Sequence, residues 1–192
     1  MTTMKFLAQK RRSIRKYTSE KLSSEDITEI LETALIAPTA KNTRSVRFVL
    51  VDDPEMLEAL SRVKAKNGTF VKGAALAIAV CADKSVASRP YTDAAIAAAY
   101  IQLTAAELEL GSCWSHIHET ETEEGGDAEA GVRRLLGLPE SYGVLCLIAI
   151  GVPADPALLA TKERVTEWER VYVGRYAARS GSGEEGCPYE YE

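Results

Sequence analysis

Apolar residues recur along this chain with two different spacings, and the changes between them mark out its elements. In residues 3–16, Phe6, Leu7 and Ile14 fall at helical spacing, which predicts a first helix with those side chains turned inward. A polar break follows. Ser23 with Asp26 three residues on then forms an aspartate version of a capping box, and Ile27, Ile30, Leu31, Ala34 and Leu35 carry a second helix up to Ala37-Pro38. Arg47 to Val51 concentrates strand formers ahead of the punctuation Asp52-Asp53-Pro54. Pro54 opens a short helix to about Val63, and Asn67-Gly68 marks a loop. Leu76 to Cys81 reads as a buried strand, because the apolar run is short, continuous and closed by a polar turn. Residues 92–111 give the longest helix, capped by Thr92 or Asp93 and ended by Gly111, with alanines that admit neighbours on most sides. GSCWSHIH and the acidic loop ETEEGGD lead to a short helix from about Ala128 to Leu136, and residues 144–150 form a third core strand closed by Gly151 and Pro153. A polar, helix-like stretch over residues 160–178 precedes SGSGEEG and the terminus CPYEYE. Helices outnumber strands and do not alternate with them regularly, so the class is α+β.

The chain has 192 residues, 46% of them hydrophobic, which suffices for one substantial core and argues against a second full domain. We therefore expect a single domain over residues 1–180 and a flexible or partner-contacting tail over 181–192. A formal net charge of -5 argues against nucleic acid or an anionic membrane as general partner. The four cysteines form no CxxC pair, and Cys81, Cys113 and Cys146 sit in apolar surroundings. His116 and His118 lack a carboxylate or thiol at ligand spacing, so no metal is expected. Neither a signal-like apolar run nor a membrane-length one is present, which makes a cytoplasmic protein the expectation. GxGxxG, GxxxxGK[ST] and GxSxG are all missing.

Against that acidic background, KRRSIRKY (Lys10 to Tyr17) places five positive charges in eight residues. Guanidinium groups present planar donor sets that match phosphate oxygens, and Ser13 adds a neutral donor. In a helix Arg11 and Arg15 share a face while Arg12 points about 100° away, so two arginines and the serine do not meet at one phosphate without the helix end or an extended ligand. A solvated charged face on a terminal helix accounts for the same residues.

RRSIRKY, the following ITEILETALIAPTAKNTRSVRFVLV, then FVKGAALAIAVCAD, ELGSCWSH, LLGLPESYGVLCLIAIGVP and the late ERVYVGRY together resemble the FMN-dependent nitroreductase family, in its short single-domain branch. The combination covers most of the chain in order. The resemblance implies a nitroreductase-like α+β fold with a central mixed or antiparallel sheet flanked by helices, in an intertwined homodimer with FMN sites at the interface. It implies NADH or NADPH as electron donor and a nitroaromatic, quinone or related small-molecule acceptor, reduced in a ping-pong cycle with no obligatory protein acid or base. A flavin-binding or assembly protein without turnover, or a reductase dedicated to one natural substrate, stays open beside it.

Carried onto this sequence, the resemblance implies FMN contacts from Arg11, Ser13 and Arg15, with Arg12 a lesser contributor. Pro38, Thr39, Ala40 and Asn42 would shape one side of the flavin pocket. Trp114, Ser115 and His116 fall where the backbone runs past the flavin N5/O4 edge. Lys162 and Arg164 stand at the late basic pair directed to the phosphate. Where relatives often carry Asn-Ser-Gln-Pro-Trp, this chain reads Asn42-Thr43-Arg44-Ser45-Val46; the resemblance implies that Arg44 and Val46 line the substrate channel, while phosphate, a nicotinamide donor or only water stay open as partners of Arg44, and a packing position at the strand's start stays open for Val46. Pro38 and Asn42 also fit as helix-stop and turn residues, Trp114 as a core or interface aromatic, and Lys162 and Arg164 as part of an exposed run.

Overall fold

Four strands in the order β1-β2-β4-β3 form one sheet, every neighbouring pair antiparallel: β1 Val46–Val51, β2 Leu76–Asp83, β3 Gly111–His116 and β4 Tyr142–Gly151. The computed structural model describes residues 2–176, which divide after Thr161 into two units. The sheet belongs to the first. Leu76, Ile78, Val80 and Ala82 of β2, with Ile148 and Ile150 of β4, pack under α2 (Ser24–Leu35) and α4 (Pro90–Glu107). Ala77, Ala79 and Cys81, with Leu147 and Ala149, pack against α3 (Pro54–Ser61) and α5 (Ala128–Leu136). Both faces are therefore covered, which is why β2 and β4 read as unbroken apolar runs.

The α+β class, the three core strands and the capping at Ser23 all hold. The Ser23 hydroxyl accepts the Asp26 N–H at 3.0 Å. Several expectations are corrected. α1 spans Thr3–Lys10 rather than residues 3–16, and the chain from Arg11 onward is extended. Ile14 decides this: it is 3% exposed against the sheet edge, a burial that a solvent-facing helical turn could not supply. Leu7 is buried as expected, but Phe6 is exposed. α4 starts at Pro90, with Arg89 as a cap that makes no side-chain bond, and ends at Glu107 ahead of a left-handed turn at Glu109. Gly111 does not stop that helix. It opens β3, a strand the apolar pattern does not announce because Ser112, Ser115 and His116 interrupt it.

In the second unit, the helix expected over residues 160–178 is absent from the described part. Only a 3-10 turn at Trp168–Arg170 forms, closed by an Arg170–Glu167 ion pair at 2.8 Å. Val165, Val171, Val173 and Tyr176 stay exposed, so no buried apolar face repays the cost of ordering a helix. The proposed tail over 181–192 lies outside the described residues.

The glycines at the sheet's β3 end mark a close crossing. A Cβ on Gly151 would lie 2.9 Å from Tyr17 Cδ1, and Tyr17 is held by its hydroxyl, which donates to Ile14 O at 2.5 Å with Ala149 O a second acceptor 3.2 Å away. Gly151→Ala is expected to cost about 1–3 kcal/mol in urea unfolding. Gly73→Ala, where the added methyl meets open space, should stay within about 0.5 kcal/mol of the parent protein.

Candidate functional site

The basic segment lies along the outer edge of β3 as an added strand. Arg11 ends α1 by donating its N–H to Leu7 O at 2.8 Å, Ser13 forms a parallel bridge with Ser112, and Ile14 N donates to Ser112 O at 3.0 Å. Tyr17 then bridges Pro153 in antiparallel sense. In an extended chain alternate side chains share a side. Ile14 packs against Gly111 and Arg12 donates to Ala160 O at 2.9 Å, while Arg11, Ser13 and Arg15 all act on the Cys113 thiol. The separation that a helix would impose on these residues thus disappears. Arg15 sits 5.7 Å from the centre of the Phe70 ring and makes no ion pair among the described residues.

Burial pushes the Cys113 thiol up, and Arg15, Ser13 and Arg11 pull it partly back. Burial likewise raises the Tyr17 hydroxyl far above its ordinary range, with Cys113 adding to the effect. Both groups are neutral at physiological pH, so the local charge is that of the arginines.

Main-chain direction along β3 follows from the Ser112 bond. Because Ser112 O faces away from β4 to receive Ile14 N–H, the two-residue period turns the main-chain groups of Trp114 and His116 to the same open edge. Lys64 Nζ donates to His116 O at 2.9 Å and closes the far end of this edge. The Trp114 N–H lies between the two anchors. Trp114 Nε1 donates to His116 Nδ1 at 3.3 Å, which requires that nitrogen to be unprotonated. Burial, followed by the neighbouring Lys64, lowers the His116 pKa and favours that form. Ser115 is buried on the other face of the strand.

Pro38, Thr39, Ala40, Asn42, Arg44 and Val46 gather elsewhere, where α2 ends and β1 begins. Ala40 N donates to Asp93 Oδ1 at 2.9 Å, and Arg44 N to Thr39 Oγ1 at 3.0 Å. Asp93 is 2% exposed, and its second oxygen has no partner among the described residues. Lys41, Asn42 and Arg44 all have φ near +50°, a costly run for side chains other than glycine and one that persists only where neighbours enforce it. Val46 pairs with Ala82 of β2, whereas Ser112 pairs with Ile150, opposite Leu76. Three strand spacings and six residues of rise separate these corners, about 14 Å across the sheet and about 20 Å along it. Within one chain the two groups of nominated residues do not meet.

Lys162 and Arg164 lie in the second unit, and both are exposed. The acidic loop contributes Glu123, Glu124 and Asp127 to a cleft of about 630 Å³ between α3 and α5, which also holds Arg62 and Arg134 and none of the nominated residues. His118 does not join His116. Its Nδ1 meets Glu129 Oε2 at 2.9 Å, its ring stacks on Tyr91 at 3.5 Å, and Arg133 and the Tyr91 hydroxyl complete the buried carboxylate's partners. Sequence reading missed Lys64, Phe70, Cys113 and Asp93. Only Asp93 gives a local signal, and as an acidic residue at the start of an alanine-rich helix it reads as a cap.

The chain matches the family described as "Nitroreductase family" over residues 8–84 and 57–152. It is 36% identical over 149 residues to an Archaeoglobus fulgidus protein provisionally named NADH dehydrogenase/NAD(P)H nitroreductase, a match covering 76% of this chain and 82% of that one. An FMN-dependent nitroreductase structure from Clostridium difficile R20291 superposes with a TM-score of 0.84 at 37% identity, covering 90% of this chain and all of the other. A provisionally named nitroreductase from Desulfovibrio desulfuricans, solved in complex with FMN, gives 0.70 at 26% identity over 92% and 99% of the two chains.

The His116 pairing carries a pH dependence. A folded-state pKa below the ordinary 6.5 means that the unfolded chain takes up the proton first, so the contribution to stability is present above 6.5 and is lost as pH falls through the lowered value. Protonation also removes the acceptor for Trp114 Nε1. Acidification from pH 7.5 to 5 should change the tryptophan emission and lower the urea midpoint, and His116→Gln should flatten both changes.

Proposed function

Because the chain belongs to the nitroreductase family, we propose that it is an FMN-dependent oxidoreductase that oxidises NADH or NADPH and reduces a nitroaromatic, quinone or related small acceptor. The observation that carries this reading is the convergence of Arg11, Ser13 and Arg15 beside an open strand edge presenting the Trp114 N–H. The donor set fits FMN at both ends. Paired guanidiniums and a hydroxyl suit a phosphorylated, polyhydroxylated chain, and a main-chain N–H fixed by a strand suits a ring edge that gains electron density on reduction. When bound, FMN supplies the redox centre of a ping-pong exchange between donor and acceptor.

The protein's own part is to bind and orient. Arg11 and Arg15 hold charge, Ser13 adds a neutral donor, and Phe70 gives the Arg15 side chain a fixed resting surface. Lys64 holds the β3 edge at His116 O, so the Trp114 amide keeps its direction. No acid or base is required of the side chains. The FMN-bound Desulfovibrio relative and the Clostridium relative support the cofactor assignment.

The proposed assembly is a homodimer. Pro38 to Asn42 stand too far from Arg11 to Arg15 to share a flavin inside one chain, and a second copy can bring the two corners together. Exposed Met4 and Phe6 on α1, with Leu35 and Ile36 at the end of α2, supply apolar surface for such an interface.

Replacing Arg15 with leucine should weaken FMN binding about tenfold to a hundredfold, the equivalent of about 1.5–3 kcal/mol for a charged partner. Fluorescence titration of apoprotein measures this, and unchanged affinity in a folded variant rejects the role. Sedimentation at micromolar concentration should report twice the chain mass of 20.9 kDa, with FMN raising the dimer's melting temperature. A folded monomer that binds one FMN per chain would overturn the shared-site arrangement.

A further inference from the structure

Between the end of α2, the start of β1 and the flank of α4 lies a cleft of about 290 Å³. Its walls are apolar, with Ala34, Leu35, Val46, Phe48 and Ala97, and two arginines, Arg44 and Arg47, join them. Among the described residues no carboxylate lines it. Among the described residues the Arg44 guanidinium has no ion-pair or hydrogen-bond partner, and Arg47 Nη1 donates to the main-chain oxygens of Arg44 at 2.6 Å and Val46 at 2.9 Å. Those bonds fix one branch of the Arg47 fork and leave its other N–H groups available to a ligand. Asp83 feels the Arg47 charge, but its own carboxylate is engaged first by the Ser85 hydroxyl and amide at 2.6 and 2.9 Å. Glu29 and Glu32 line the adjoining surface groove rather than this cleft.

The backbone that presents Arg44 is costly. A φ of +49° at an arginine is held by its N–H bond to Thr39 Oγ1, and Thr39 in turn lines the cleft. A long cation is therefore kept, on an enforced main-chain conformation, at the mouth of an apolar slot. A neutral aromatic would use the walls and leave both guanidiniums without a counter-charge.

We propose that this cleft receives the electron acceptor and selects a planar one- or two-ring compound bearing a carboxylate or sulfonate, the ring against Val46 and Phe48 and the anion between Arg44 and Arg47. This rests on the oxidoreductase reading above, because Thr39 and Ala40 beside the cleft belong to the corner that reading assigns to the flavin pocket. The volume is at the low end for small-molecule sites and suits one or two rings rather than a dinucleotide.

The test compares para-nitrobenzoate with its methyl ester, and a naphthoquinone sulfonate with the parent naphthoquinone, as acceptors for the FMN-loaded enzyme. In the parent protein kcat/KM should favour the anion of each pair. Arg44→Gln and Arg47→Gln should each lower the anion-to-neutral ratio about tenfold, the scale of one charge-assisted contact, and Arg44→Lys should restore part of it. A second arm measures equilibrium dialysis of para-nitrobenzoate and its ester against the protein as purified. Preferential binding of the anion, lost in the double glutamine variant, supports the cleft whether or not flavin is present, whereas missing flavin or absent NAD(P)H oxidation counts only against the oxidoreductase reading. Equal ratios in parent and variants, or dialysis without preference for the anion, overturn the proposal. So does a variant effect confined to the NADPH-to-NADH ratio, which would assign the arginines to the donor's phosphate.

Discussion

The arrangement depends on how closely one extended segment approaches the end of the sheet. Ser13 and Ile14 can run beside Ser112 only because Gly111 leaves Ile14 its place, where a methyl would stand 2.9 Å from Ile14 Cγ2. Tyr17 can lie over β4 only because Gly151 has no side chain. These two contacts set the register of the added strand, and register in an extended chain decides which side each residue faces. A slip of one residue would bury Arg15 and expose Ile14. The positive charge at the β3 edge is thus positioned by apolar packing and two missing methyl groups, not by its own electrostatics.

The remainder of the fold protects that edge. β2 and β4 are buried on both faces and carry no polar side chain into the core before Asp83 and Tyr142, so they form a stiff centre. β3 is different in kind. Its serines and histidine make it poor as a core strand, yet the same polarity suits a strand with one free edge. The buried Glu129 cluster ties the segment after β3 to α4 and α5 through His118, Tyr91 and Arg133. A buried carboxylate with three partners contributes mainly by defining one arrangement, and here that arrangement fixes the chain just beyond His116.

Legibility in the sequence followed burial. β1, β2, β4, α2 and α5 could be read because apolar spacing and caps agree with the tertiary outcome: Ser23 and Asp127 both bond the first turns of their helices. The sequence alone makes α1 too long because charged residues are tolerated by helix and edge strand alike, and only the distant Gly111 shows where Ile14 must go. Likewise β3 escapes because its pairing partners are 30 or more residues away in sequence and its own pattern is polar. Arg11, Ser13 and Arg15 could be nominated from residue chemistry and family likeness, but their common side could not, since the helical reading assigned the wrong period. Lys64 and Phe70 gave no local sign at all. They reach the site from the segment between α3 and β2.

The charge distribution then takes on a geometric meaning. An acidic chain that keeps cations at two separated corners, Arg11 and Arg15 beside β3 and Arg44 and Arg47 beside β1, does not present one basic face. Each corner pairs its cations with a different surface: a strand edge with a free amide in the first, an apolar slot in the second. The first suits a phosphate joined to a polar ring, and the second a ring that carries its own anion. If a second copy brings the two corners together, cofactor and acceptor are held by separate sets of arginines, and each set can change without dismantling the other. Arg44 and Val46 both stand at the second corner, which can change while the register that positions Arg11, Ser13 and Arg15 stays intact.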